Sequence, residues 1–430
     1  MLFLSGIAAF VPLLRWGVLA ADLVLVALVV LDLVRTGDPA RIVPRRSAPE
    51  RVRLAQPFAR TLALEGARAG LAFELHEEQP SSFEALAGEV AAAPGACERG
   101  RFDAAGAAVL VRHYRPGRRG RFALGDLRLR VRGPQGWIER QARFRGALAL
   151  AVEPALLGLS ETLHLAASER WQDLGVRTLR RFGGQTEFES LREFVRGDEV
   201  RRVDWKATAR RAKPMVRTYQ VERGQELLLL IDAGRRMRAT DGAGATAEWT
   251  KLDWALDATL QLAAVALRQG DRVGAAAFER GLVAYVPPGK GAQVQARLAG
   301  ALFDLQPSER EGDLGRALRE LAVRHRRRAT VLVVSDVADP LSLEEQRRAL
   351  ASAARHQRVI FAALDDPPLR TAAEPGAGDV VLRAAALELA AERARGLRTL
   401  RRSGVRVLDA LPAEAAAPML AAWLDERRRG

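Results

Sequence analysis

From Leu2 to Val34 the chain is almost wholly apolar: LFLSGIAAFVPLL, then Arg15-Trp16, then GVLAADLVLVALVVLDLV. No later stretch approaches that length without charge, so this segment must be removed from water by a bilayer or by a core. The basic residues Arg35, Arg41, Arg45 and Arg46 follow the run rather than precede it. A signal peptide carries its positive charge ahead of the apolar region and a small-residue cleavage site behind it, so that reading does not fit. Arginines on the carboxyl side imply a membrane segment whose following chain lies in the cytoplasm. Leu2–Leu14 alone falls short of the ~20 residues that a spanning helix needs, and Pro12 lies near its end. A transmembrane hairpin of two helices over residues 1–36 is therefore expected, with one long tilted helix as the competing arrangement. The reading that needs no membrane is a buried helix of a soluble core over Gly17–Val34, carrying Asp22 and Asp32.

The remainder is long enough for two or three folded domains, since the chain has 430 residues and domains commonly take about 100–200. With 48% hydrophobic and 28% charged residues, wholesale disorder is excluded. The net charge is +15, and 63 of the 67 basic residues are arginine. Acidic residues are interleaved with them along nearly the whole chain, so no nucleic-acid partner is expected. The single cysteine, Cys97, excludes an intrachain disulfide and a cysteine-based zinc cluster.

Between residues 48 and 155 short alternating runs predict half-buried strands: Arg51-Val52-Arg53-Leu54, Leu71-Ala72-Phe73-Glu74-Leu75 and Leu127-Arg128-Leu129-Arg130-Val131. Turn residues separate them, notably at 115–120 and 133–136, and an all-β, sandwich-like domain is expected. His76 and His113 lack Cys or acidic partners at ligand spacing and read as ordinary strand residues. From residue 225 to 430 the pattern changes to apolar runs alternating with helical ones. Strands are predicted at Glu226–Asp232, Arg272–Phe278, Ala329–Asp336, Arg358–Leu364 and Val405–Leu408. Helices are predicted at Lys251–Arg268, Val294–Phe303, Leu314–Arg324, Leu343–His356 and Ala384–Arg401. Such alternation implies βαβ units and a doubly wound α/β domain.

Ligands of doubly wound sheets bind beyond the carboxyl ends of the strands. Two strands here end in aspartate, LLLLID at Asp232 and VLVVSD at Asp336. Paired carboxylates there suit a divalent metal; strand-terminal aspartates equally cap turns and helices.

Residues 156–224 join the two regions and contain FESLREFVRGDEVRRVDWKATARR, Phe188 to Arg211. This resembles the signature of the bacterial family called domain of unknown function 58, L-R-E-Y-x-x-G-D-x-x-R-x-I-D-W-K-x-x-A-R. Leu191, Arg192, Glu193, Gly197, Asp198, Arg201, Asp204, Trp205, Lys206, Ala209 and Arg210 match it, while Phe194 and Val203 are mild variants. Later stretches agree with it too, including RVGAAAFERGLVAYVPPGKG, EGDLGRALREL and VLVVSDVAD. The resemblance implies the order membrane hairpin, β-rich region, signature, von Willebrand factor A-like domain. It also implies work beside a MoxR-type AAA+ ATPase in envelope-related assembly or stress response. The mixed charges of the signature suggest a hydrogen-bonded network that joins the domains or docks a partner, with Trp205 packed on one face.

In the A-type family a loop of form Asp-x-Ser-x-Ser, a threonine and a further aspartate hold Mg²⁺, and hard oxygen ligands suit that ion. Here the loop runs Asp232-Ala233-Gly234-Arg235-Arg236, and the threonine position falls on Gly312. Only Asp232 and Asp336 remain, with Asp313 nearby, and the Arg236 guanidinium is expected to repel a cation and to pair with Asp232. The site positions Asp232, Gly234, Arg236, Gly312 and Asp336 thus read as degenerate, and no cofactor is expected. The chain reads as a membrane-anchored, cytoplasm-facing interaction protein of the bacterial inner membrane rather than an enzyme. The rival is a metal-assisted hydrolase built on Asp232, Asp313 and Asp336.

Overall fold

The structure is a computed structural model. It describes residues 12–86, 97–156, 186–193, 203, 205–211, 213–221, 225–240, 249–337, 339–340, 342–374 and 380–429. Helix α1 (Pro12–Thr36) is a single unbroken helix through Arg15-Trp16. Proline is tolerated at a helix start because the N–H it lacks would have no intrahelical partner there. Of the first arm of the expected hairpin, Leu2–Leu14, residues 2–11 lie outside the described residues and Pro12–Leu14 belong to α1. α1 is long and apolar enough to cross a membrane. Trp16, Leu19, Leu23, Val26 and Val30 are all exposed, so the buried-core reading of Gly17–Val34 fails.

The described chain divides into two compact units. The first holds Met1–Ala155 with the short pieces Thr240–Asp253 and Phe303–Leu305. Eleven strands lie in it: β1 (Val43–Ser47), β2 (Arg51–Arg53), β3 (Phe58–Glu65), β4 (Ala72–Glu77), β5 (Phe83–Leu86), β6 (Glu98–Arg101), β7 (Ala108–Pro116), β8 (Gly120–Leu124), β9 (Leu127–Arg132), β10 (Glu139–Phe144) and β11 (Leu148–Glu153). They form two four-stranded sheets, ordered β1-β3-β7-β5 and β10-β9-β4-β6, and a smaller sheet β2-β11-β8. The alternation seen in the sequence is the alternation of burial: Leu127, Leu129 and Val131 face in while Arg128, Arg130 and Arg132 face out. Leu62 and Leu64 of the first sheet share one core with Phe73, Leu75, Leu129 and Val131 of the second. The first strand of this unit, β1, starts at Val43, ahead of residue 48.

Charge also crosses this core. Arg60 on β3 is fully buried and reaches Glu77 on β4 at 2.7 Å and Glu98 on β6 at 2.5 Å. Arg112 on β7 lies 3.3 Å from Glu98, and the Tyr114 hydroxyl donates to Glu77 at 3.2 Å. Burial, with the neighbouring Glu77 charge, pushes the Tyr114 hydroxyl up to about 12.

The second unit, Leu156–Ala239, Trp254–Leu302 and Gln306–Gly430, carries a six-stranded sheet. Its strands are β14 (Glu226–Asp232), β15 (Arg272–Phe278), β16 (Leu282–Gly289), β17 (Thr330–Ser335), β18 (Arg358–Leu364) and β19 (Arg406–Ala410), in the order β16-β15-β14-β17-β18-β19. All neighbours are parallel except the β15–β16 pair. Leu227–Ile231 and Val331–Val334 are unbroken buried runs, as a strand covered on both faces requires. Helix α3 (Lys251–Arg268) matches its expected bounds, as does α5 (Leu314–Arg324). α4 (Ala292–Leu302), α6 (Leu343–Ala354) and α8 (Val380–Arg401) shift by a few residues, and α7 (Pro367–Ala373) and α9 (Ala416–Arg429) are additional.

Strand β16 was not expected, because Pro287 and Pro288 interrupt its pattern. It is the antiparallel edge strand, where a missing N–H is tolerated. The joining region is also more than a linker. Its β12 (Thr186–Glu193) pairs antiparallel with β13 (Met215–Val221), and helix α2 (Trp205–Arg211) lies between them in sequence.

The buried network in the first unit yields a stability prediction. Glu77→Ala leaves the Arg60 guanidinium under-compensated and should cost about 3–5 kcal/mol in urea unfolding followed by circular dichroism. The paired change Arg60→Met with Glu77→Leu should recover most of that loss.

Candidate functional site

Strands β14 and β17 are neighbours, yet the chain leaves β14 toward β15 and β16 on one side and continues from β17 to the other. Their carboxyl ends therefore flank the topological switch point. Asp232 ends β14, Ser335 ends β17 and Asp336 follows. The Ser335 hydroxyl donates to Asp232 Oδ2 at 2.6 Å, and the Gly234 N–H donates to Oδ1 at 2.7 Å. Asp232 is buried, and burial lifts its carboxyl to about 6 against the lowering effect of these two donors and of Arg236.

Two arginines take up the remaining charge. Arg393, from the middle of α8, pairs with Asp336, lies 3.1 Å from Asp365 after β18 and 2.9 Å from Asp409 on β19. One guanidinium thus collects a carboxylate from each of three successive strand ends. Arg236 donates to the Val337 carbonyl at 2.8 Å and pairs with Asp339 at 2.6 Å and Glu311 at 3.1 Å. The expectation that Arg236 pairs with Asp232 is therefore corrected: Ser335 and Gly234 hold that carboxylate, and Arg236 faces outward to Glu311 and Asp339.

The residues do not fit a resident Mg²⁺. A Cβ added at Gly312 would stand 2.6 Å from Asp232 Oδ1, and one at Gly234 would stand 2.6 Å from the Gly312 nitrogen. The two loops have closed over the space where hydroxyl ligands would project. Asp336 already faces a cation in Arg393. Asp313 caps α5, accepting from the Arg316 N–H at 2.8 Å. Among the described residues no group of three His, Cys, Asp or Glu side chains converges at metal-holding distance.

A cavity of about 950 Å³ adjoins the switch point between α5 and α6. Asp232, Ser335 and Asp336 line one part of it, and its apolar lining includes Leu228, Leu321 and Val331. His325 also lines it, but its Nε2 lies 3.1 Å from Glu226 at the start of β14. That is the opposite end of the strand from Asp232, about 20 Å away at ~3.3 Å per residue. His325 and the aspartates of the hydrolase reading therefore do not share a reaction centre.

In the signature segment, Leu191, Arg192 and Glu193 lie on β12, with partners Arg217, Val216 and Met215 on β13. Lys206, Ala209 and Arg210 lie on α2 with Trp205. Gly197, Asp198, Arg201 and Asp204 fall outside the described residues. The Thr208 hydroxyl accepts the N–H of buried Met215 at 3.0 Å, which ties α2 to the strand that follows. The expected packing of Trp205 is corrected: it opens a helix and is 67% exposed.

Ser335, Arg393, Asp365 and Asp409 were not singled out in the sequence. Ser335 had a signal, its place before Asp336 in VLVVSD. Arg393 had none, because only the crossing of α8 over the strand ends brings it to them.

The model of the family described as protein of unknown function DUF58 matches residues 190–405, half of the chain. The chain belongs to that family. The uncharacterized protein Rv1480 of Mycobacterium tuberculosis is 30% identical over 254 residues, which cover 54% of this chain and 77% of that protein. The uncharacterized protein Mb1516 of Mycobacterium bovis matches to the same extent. Among solved structures, a cohesin module from a Clostridium perfringens family 33 glycoside hydrolase matches 27% of this chain and 97% of its own, at 15% identity and a TM-score of 0.19. An uncharacterized membrane spanning protein from Vibrio fischeri matches 47% and 96%, at 15% identity and 0.17. Superpositions with scores this low carry no weight for fold or function.

The state of Asp232 is open to direct test. Its folded pKa is raised, so its contribution to stability is complete below about pH 4 and is lost as pH rises through about 6, a change of about 3 kcal/mol. Asp232→Asn keeps an acceptor for Gly234 and removes the buried charge. Thermal melts should show the variant more stable than the parent at pH 8, with the difference vanishing near pH 4.

Proposed function

We propose that this chain is a membrane-anchored protein-interaction or adaptor protein of the bacterial inner membrane, with its folded units in the cytoplasm, and not an enzyme. The observation that carries the reading is the state of the switch point. There the strand-end aspartates are paired from within by Ser335, the Gly234 N–H and Arg393, and Gly234 and Gly312 pack close beside them. The strand order and the strand-end aspartates favour a von Willebrand factor A-like domain whose metal site has been replaced by internal pairing. Binding then falls to exposed surfaces: Arg235 and Arg236 with Glu311 beside the switch point and, separately, helix α2 with exposed Trp205. Arginine on α1's carboxyl side favours the cytoplasmic orientation, and the family resemblance favours a MoxR-type AAA+ ATPase as partner in envelope-related assembly or stress response.

Two measurements test this. Protease added to intact spheroplasts should spare the Arg51–Gly430 region, and digestion from outside would overturn the orientation. The full-length chain purified in mild detergent should retain a AAA+ ATPase, and Trp205→Ala should weaken retention several-fold with little change in melting. Absence of any such ATPase under conditions that keep the chain folded would overturn the adaptor reading.

A further inference from the structure

Within the first unit, α1 does not end in a flexible tether. The Thr36 hydroxyl donates to the Asp32 carbonyl at 2.7 Å, a short 3-10 turn at Pro39–Arg41 follows, and Ile42 already belongs to the β core. Arg140 on β10 donates to the Gly37 carbonyl at 2.5 Å and lies 3.5 Å from Asp38. Above all, Asp32 is fully buried although it sits on a helix most of whose residues are exposed, Thr36 one turn on being the other buried position. Its carboxylate accepts the N–H groups of Gln135 at 3.0 Å, Trp137 at 3.0 Å and Ile138 at 3.1 Å, in the turn between β9 and β10. Gly133 makes that approach possible, since a Cβ there would stand 2.5 Å from the Asp32 carboxylate.

A carboxylate in the last turns of a helix opposes the helix dipole, so its place needs another explanation. The three donors supply it. They also fix the height of the turn along α1 at the level of Asp32. Just beyond, Leu33 and Val34 are exposed and apolar, and Arg35 is the first exposed charge. The boundary between hydrocarbon and water thus falls at the turn, where backbone N–H groups cannot rely on water and a carboxylate meets the need. Trp137, at this level, is 47% exposed, and tryptophan favours the headgroup layer. Trp16 is exposed at the other end of the apolar stretch. At 1.5 Å per residue it lies about 27 Å from Val34, close to the ~30 Å of a hydrocarbon core.

We propose that the Gly133–Ile138 turn is a membrane-contact surface. Trp137 inserts into the phospholipid headgroup layer beside α1, Arg35 and Arg41 meet the lipid phosphates, and the Asp32 clamp holds the first unit at one fixed attitude to the bilayer. This rests on the anchor reading above and adds a second point of contact to it. The occupant is the bilayer that α1 crosses, because the surface is continuous with that helix.

The test uses the full chain in phospholipid nanodiscs whose acyl chains are brominated near the headgroup, with tryptophan emission as readout. Trp137→Phe should remove from the quenched signal a share on the order of one of the seven tryptophans. Trp16→Phe should do the same at the other face. If quenching is unchanged in Trp137→Phe but falls in Trp16→Phe, the turn stands off the membrane; this proposal then fails while the anchor survives. If neither change alters quenching, the anchor reading fails with it. Both substitutions are conservative and exposed, so unchanged circular dichroism separates loss of contact from loss of fold.

Discussion

A parallel sheet covered on both faces hides its strands from water but brings their carboxyl ends, with the loops that leave them, to one edge. Whatever polar groups stand there must be satisfied by ligand, by water or by the chain itself. In this protein the chain does it. Asp232 is held by Ser335 from the neighbouring strand and by the N–H of its own loop, and Arg393 draws together Asp336 and Asp365, which follow two strands, and Asp409 near the end of β19. The closeness of Gly234 and Gly312 belongs to the same solution, because a hydroxyl-bearing side chain at either position would collide with Asp232 or with the facing loop.

The same economy recurs in the first unit, where arginine and glutamate cross a sandwich core. Arg60, Glu77 and Glu98 connect strands of the two facing sheets. Such pairs contribute little net stability against an apolar substitute, but once present they are costly to leave half-made. They also restrict register, since a slip of one residue in β3 would turn Arg60 away from both glutamates. A chain so rich in arginine folds by giving its buried guanidiniums buried partners.

The junction of α1 with the β unit follows the same rule at smaller scale. One carboxylate on an apolar helix satisfies three backbone donors of a turn over a hundred residues away in sequence. The helix end is thereby part of the folded unit. In the joining region the signature residues are divided between a strand and a short helix, so a single compact motif in sequence becomes two elements in space.

Elements whose signal is local periodicity were legible in the sequence: the strands Glu226–Asp232, Arg272–Phe278 and Arg358–Leu364 and the helices Lys251–Arg268 and Leu314–Arg324 have the expected bounds. Their burial pattern is written in consecutive residues, so no distant partner is needed to read it. The same holds for the apolar helix. β16 was hidden, because two prolines deny a central strand and only its edge position tolerates them. The partners of Asp232, Asp336 and Asp32 were hidden for a different reason. Each is defined by elements that meet only after the chain has crossed over a sheet or closed a sandwich, and sequence spacing holds no trace of that meeting. Trp205 is the converse case, where composition argued for burial and a helical start left the indole in solvent. Local pattern determined which segments are strand, helix or membrane-length apolar run. Only the tertiary structure decided which charge meets which, because an ion pair depends on where two side chains end rather than on where they begin.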